Sequence, residues 1–141
     1  IQEIRDKDTD NSKEWERWIL FMLKGVEETA SQTIELTKQI SNLMMEYKNI
    51  LRPKFGQQYK HELINNLFYH PYTKIEFMQN DMMVQRKTAS KYLDKIVEIG
   101  LLQKVKMGHS NYYINTKLMN LFINHNVLSE DQAESIESVH E

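Results

Sequence analysis

The chain has 141 residues, 40% hydrophobic and 27% charged, with a formal net charge of −2. That is enough apolar material for one domain or two very small ones, with no bulk positive charge to signal a polyanion partner. It has no cysteine, which excludes a disulfide framework and a thiolate metal site and fits a reducing, cytoplasmic compartment.

The first ten residues, with Asp6, Asp8 and Asp10, read as solvated. Asn11 or Ser12 can cap a helix. Trp15, Trp18, Met22, Val26, Thr29 and Thr33 then open a series at three- and four-residue steps that continues through Leu36, Ile40, Leu43 and Tyr47 to Ile50. That is helical periodicity over many turns, so residues 1–51 are expected to form a long helix. Trp15, Trp18, Ile19, Phe21, Met22 and Leu23 make its start apolar nearly all round, so it should be covered by another domain or a second copy. Gly25 costs about 1 kcal/mol relative to Ala in a helix and is expected to mark close approach by another backbone. No apolar run approaches the ~20 residues of a membrane span. No signal-like segment stands at the start, and an opening Ile1 suggests a fragment or processed product.

Pro53 and Gly56 punctuate a linker over 52–58. A second helix is predicted from Tyr59 to Tyr69, with Leu63, Ile64, Leu67 and Phe68 on one face, stopped by Pro71. Thr73-Lys74-Ile75-Glu76 fits a capping box, with Tyr72 and Phe77 at the positions of a hydrophobic staple. That short helix should end near Gln79 or Asn80, and a turn leads to Gln85. From Arg86 to Ile99 the apolar stripe is Ala89, Tyr92, Leu93, Ile96 and Ile99, and Gly100 is a natural left-handed terminator. Leu101–Met107 alternates, Met107-Gly108-His109-Ser110 turns, and Asn111–Ile114 returns as a strand. One of Tyr112 and Tyr113 must face the core. Asn115 or Thr116 can cap a last helix carrying Leu118, Leu121 and Phe122. Residues 59–123 hold nine Lys/Arg against five Asp/Glu, whereas 124–141 hold five acids and no Lys/Arg. The domain is therefore mildly basic, and an acidic, disordered tail is expected after it.

The fold expected is mainly α: a long N-terminal helix followed by a winged helix-turn-helix domain over 59–123 with one small β-hairpin. In that arrangement the second helix of the pair offers its first turns to base edges and the hairpin reaches phosphates. Candidate base-facing residues are Arg86, Lys87, Ser90 and Lys91. Candidate phosphate contacts are Thr73, Lys74, Lys104, Lys106 and His109. Asp94 and Glu98 continue the same face and oppose phosphate, so a protein-contact role ranks ahead of DNA binding. None of the five histidines has the i, i+4 spacing of a helical metal pair. The methionines sit at core-like spacing. No nucleophile–base constellation and no phosphate-binding loop is visible.

Two stretches resemble the Fic (filamentation-induced-by-cAMP) family. Residues 14–30, EWERWILFMLKGVEETA, are similar to the helix that closes the Fic catalytic region. Residues 60–114, with HPYTKIEFM and RKTASKYLDKIVEIGLLQKVKMGHSNYYI, are similar to the winged-helix region that follows it. The family transfers AMP or a related phosphate-bearing group to a protein hydroxyl, through a loop close to HPFxDGNGR. No such loop occurs in these 141 residues, and His70-Pro71-Tyr72 continues differently. The resemblance therefore implies a non-catalytic, regulatory or positioning module without catalytic residues, metal or cofactor of its own. ATP and Mg are implied only for the parent's catalytic region. The partners implied are that region or a second copy, through Trp15, Trp18, Met22, Val26, Thr29 and Thr33, giving a homodimer. Double-stranded DNA is the alternative partner.

Overall fold

The computed structural model describes the backbone of residues 2–137 and the side chains of residues 11–126. The fold is mainly α, as expected. In chain order it comprises α1 (Gln2–Phe55), a 3-10 turn (Gly56–Gln58), α2 (His61–Tyr69), β1 (Tyr72–Thr73), α3 (Ile75–Met82), α4 (Arg86–Ile99), β2 (Gln103–Met107), β3 (Ser110–Ile114) and α5 (Thr116–Glu137). The chain divides into two compact units, Ile1–Thr37 and Lys38–Glu141.

In the first unit every side chain from 11 to 31 is exposed, and none from 11 to 37 is buried. The helix does not wait for a cap at Asn11 or Ser12 but starts at Gln2. Thr29, Thr33 and Thr37 each donate a hydroxyl proton to the carbonyl four residues back, at 2.9, 2.9 and 2.8 Å. A methyl placed on Gly25 would meet nothing within 4 Å among the described residues, so the expected close approach by another backbone is not seen there.

The second unit contains the core. Leu43, Tyr47, Leu51 and Phe55 recur every fourth residue on α1 and are all buried. They pack with Leu63, Ile64 and Leu67 of α2, Met78 and Met82 of α3, Leu93 and Ile96 of α4, Tyr113 of β3 and Leu118 of α5. Two of these residues correct the expected linker. α1 runs through Pro53 because Leu51 and Phe55 bury side chains on either side of it. The Phe55 ring meets Tyr92 edge-on at 5.4 Å. The Lys95 Nζ lies over that ring at 4.5 Å and donates to the Lys54 carbonyl at 2.6 Å, satisfying an acceptor at the helix end.

The sheet has strand order β1-β3-β2, all antiparallel. β1 was not foreseen. Tyr72 pairs with Ile114 and Thr73 with Tyr113, so the expected capping box does not form. The Thr73 hydroxyl donates instead to the Asn66 Oδ1 at 2.8 Å, and Lys74 is the N-cap residue of α3 without a side-chain bond. α3 also runs further than expected, to Met82. Gly100 ends α4 as predicted: at φ 92° it allows bonds from its own amide to the Val97 carbonyl (2.9 Å) and from Leu101 N–H to Ile96 (3.2 Å). The hairpin closes through Gly108-His109. Gly108 takes φ 60° and His109 does not turn positive, the pattern of a type II′ turn.

Of the methionines, Met78 and Met82 are core, but Met22, Met45, Met83 and Met107 are well exposed, because spacing alone does not say which face another element will cover. The acidic stretch after residue 124, expected to be disordered, continues as helix to Glu137. Residues 138–141 lie outside the described residues.

Candidate functional surfaces

The first turns of α4 carry Arg86, Lys87 and Lys91 on the surface, whereas Ser90 is half-buried. Arg86 reaches Glu76 of α3 at 3.8 Å with both side chains well exposed, a weak tie. Lys87 and Lys91 make no ion pair among the described residues. The Ser90 hydroxyl donates to Asp94 at 3.5 Å.

Asp94 is the junction between α4 and the hairpin. Its Oδ1 accepts from Lys104 at 3.0 Å and from the Tyr113 hydroxyl at 3.3 Å. In the sheet, Lys104 stands opposite Tyr113 and Lys106 opposite Asn111. Directly paired residues share a face, so both lysines lie on the side of the buried Tyr113, while Val105, Met107 and Tyr112 occupy the other. The Lys104 stem therefore crosses the Tyr113 ring, its Nζ 5.5 Å from the centroid. The bond to Asp94, above all, holds the Lys104 ammonium above its ordinary pKa. Burial, first, raises that of the Tyr113 hydroxyl. Lys104 is thus engaged within the fold. Lys106 and His109 remain exposed on the hairpin.

Thr73 is buried with its hydroxyl committed to Asn66, so it cannot touch a phosphate. Lys74 is half-buried. Its Nζ lies 4.5 Å from the Tyr112 ring centroid and 5.8 Å from that of Phe77, and hydrogen bonding to Tyr112 raises its pKa. The structure therefore gathers Arg86, Lys87, Lys91, Lys106 and His109 as exposed basic positions on α4 and the hairpin. It withdraws Thr73, ties down Lys104 and places Lys74 among aromatic rings.

A second set of residues escaped the sequence reading. A cleft of about 230 Å³ opens between α2 and α3, lined by Tyr69, His70, Tyr72 and Phe77 together with Asn66, Asn80 and Asp81. Glu62 and Asn65 line an adjoining cleft that shares Tyr69 and Asp81. The spacing Glu62, Asn65, Asn66, Tyr69 at three- and four-residue steps was the available signal, since it puts polar and aromatic groups on one face of α2.

On α1, Trp15 and Trp18 are 58% and 55% exposed and meet edge-on at 5.6 Å. Met22 and Val26 continue the exposed apolar stripe, followed by Thr29 and Thr33. A family model described as "Protein adenylyltransferase SoFic-like, C-terminal domain" matches residues 43–118. That range opens at Leu43 and closes at Leu118, the first and last residues of the buried core.

Proposed function

Because the chain belongs to the SoFic-like C-terminal domain family of protein adenylyltransferases, we propose that it is a non-catalytic winged-helix module that regulates or positions the transferase or its target through protein contacts. The reading of α2–β3 as a winged helix rests on the order helix, strand, helix, helix, hairpin. The observation that carries the protein-contact role is the apolar stretch of α1. Between Trp15 and Val26, eight large apolar side chains are about half or more exposed. Contiguous apolar surface of that kind marks an interaction site. The same stretch resembles the closing helix of a Fic catalytic region, which makes that region its natural cover, with a second copy of this chain as the other occupant. AMP transfer, with ATP and Mg, belongs to the parent's catalytic region in this reading.

The test is AMP transfer by the parent protein. Trp18→Glu with Met22→Glu is expected to lower it at least about tenfold, the loss expected when about 1.4 kcal/mol of positioning is removed. Lys87→Ala with Lys91→Ala is expected to leave it unchanged. Full activity in the Trp18/Met22 variant would refute the contact.

A second reading, sequence-specific DNA binding in a regulatory role, is favoured by the exposure of Arg86, Lys87 and Lys91 on α4 with Lys106 and His109 on the hairpin. Anisotropy of a labelled duplex should then weaken steeply with salt. Lys87→Ala/Lys91→Ala should lower the log–log salt slope by about 2, one for each phosphate no longer neutralised. Affinity that ignores salt would remove this reading.

A further inference from the structure

We propose that the α2–α3 cleft is a binding site for an arginine side chain presented by a partner polypeptide. None of the exposed lysines of α4 lines the cleft, and the proposal does not require either reading above to hold. Its chemistry is specific. Tyr69, 81% exposed, stands at the shared wall of the two adjoining clefts. Its ring meets His70 edge-on at 4.7 Å, and His70 stacks on Tyr72 at 5.8 Å with 14° between planes. These contacts brace one another, and the 81% exposure of Tyr69 leaves ring surface open for a ligand. Asp81 is exposed and forms no ion pair among the described residues. It accepts one bond from the Asn66 Nδ2 at 2.6 Å, through Oδ2. The Asn66 Oδ1 is in turn held by the buried Thr73 hydroxyl. Asn66 is 5% exposed, so this chain anchors the carboxylate from inside the fold, while Oδ1 and the second lone pair of Oδ2 stay open to a forked donor.

The charge balance favours a cation. Among the described residues, Asp81 and Glu62 are the only Asp, Glu, Lys or Arg lining the two clefts. Lys74 does not line either cleft, and its Nζ lies closer to the Tyr112 ring, at 4.5 Å, than to that of Phe77, at 5.8 Å. A guanidinium suits the site better than an ammonium. Its plane stacks on aromatic faces while its forked N–H groups meet a carboxylate in two places, whereas an ammonium is a compact, strongly hydrated point charge. A polypeptide source follows from the continuity of the clefts. An arginine seated against Asp81 leaves the Glu62–Asn65 cleft beside Tyr69 to take the neighbouring residue of the same chain.

The experiment is a nitrogen-15 NMR titration of the full 141-residue chain with a blocked Gly-Arg-Gly peptide, in parallel with blocked Gly-Lys-Gly and free arginine amide. Saturable shifts are expected at the Asn66 and Asn80 side-chain amides and along α2 and α3. The lysine peptide should bind about tenfold more weakly, because it cannot make the forked contact. Asp81→Asn, which keeps an acceptor for Asn66, and Tyr69→Ala, at an exposed position, should each weaken the arginine peptide at least about fivefold with the remaining spectrum unchanged. Four results would overturn the proposal: no saturable shift, equal binding of the lysine peptide, insensitivity to both variants, or free arginine amide binding as tightly as the peptide. The last would leave a small-molecule site instead.

Discussion

At the scale of single residues, the most constrained position is Asn115. Its Oδ1 accepts from the Tyr47 hydroxyl at 2.8 Å and from the Leu118 amide at 3.2 Å, which makes it the N-cap of α5. Its Nδ2 donates to the Leu67 carbonyl at 3.2 Å, and its backbone amide to Pro71 at 2.8 Å. Leaving a buried partner unsatisfied costs about 1–3 kcal/mol each. Asn115→Ala strands the Leu67 carbonyl and the Leu118 amide and takes one acceptor from Tyr47, so a loss of about 3 kcal/mol in urea unfolding is expected. A loss under about 1 kcal/mol would mean that the network is not holding these elements together. Tyr47 adds a pH signature. Burial, and secondarily the neighbouring Glu46 carboxylate, push its hydroxyl pKa up to about 12 from 10.0. The folded state holds this proton more tightly than the unfolded state. Its contribution is therefore complete below pH 10 and disappears as pH rises toward 12. Two pKa units correspond to about 3 kcal/mol. Stability measured from about pH 9 to 11.5 should fall more steeply in the wild type than in Tyr47→Phe; parallel curves would contradict this. Met83 is a third case. It is 91% exposed and sits at φ 52° in the left-handed region, where it ends α3. A side chain there is strained, so Met83→Gly should stabilise by about 0.5–1 kcal/mol, and a destabilised variant would show that the Met83 side chain makes a contact of its own.

At the scale of elements, the legible parts were those whose signal is local. α4 could be bounded from its apolar stripe and Gly100, and the hairpin from Gly108, because helix termination and tight turns depend on a few adjacent φ angles. Asn115 was legible as a cap for the same reason. The misreadings have non-local causes. Pro53 and Gly56 look like a linker, yet Phe55 is secured by Tyr92 and Lys95, some forty residues away in the chain. Thr73 has the sequence of a capping residue, but pairing with Tyr113 turns its hydroxyl inward. Of the α2–α3 cleft only the α2 face was legible, as the Glu62, Asn65, Asn66, Tyr69 spacing, because the two helices that form it meet only in the folded chain. The Asp94 junction belongs here too, since it joins α4 to β2 and β3. Lys104 and Asp94 are 41% and 45% exposed, so solvent screening limits their pairing to at most about 1 kcal/mol. Asp94→Ala should therefore lower global stability only slightly while raising hydrogen exchange at the hairpin amides, which lose their tether to α4. Unchanged exchange at Lys104–Tyr113 would show that the hairpin is held by its strand pairing alone.

At the scale of the whole molecule, the two units differ in what sustains them. Lys38–Glu141 contains every buried side chain described, and the family match over 43–118 falls inside it. Ile1–Thr37 has no buried side chain among those described and exposes Trp15, Trp18, Phe21 and Leu23. An isolated helix gains little beyond propensity, because most helical stability comes from packing of an apolar face. Removing residues 1–37 should therefore leave the unfolding free energy of the remainder within about 0.5 kcal/mol, as expected for changes that leave the buried core intact. The same truncation should abolish association. Light scattering of the intact chain is expected to show mass rising with concentration toward a dimer as the exposed tryptophans find cover on a second copy. The chain beginning at Lys38 should stay monomeric. If the intact chain is monomeric at high concentration, a second copy is not the occupant of that apolar stripe. The Trp18→Glu/Met22→Glu effect on AMP transfer would then have to come from the catalytic region alone. If the truncated chain unfolds, the division between the units is wrong, and the first thirty-seven residues contribute to the core after all.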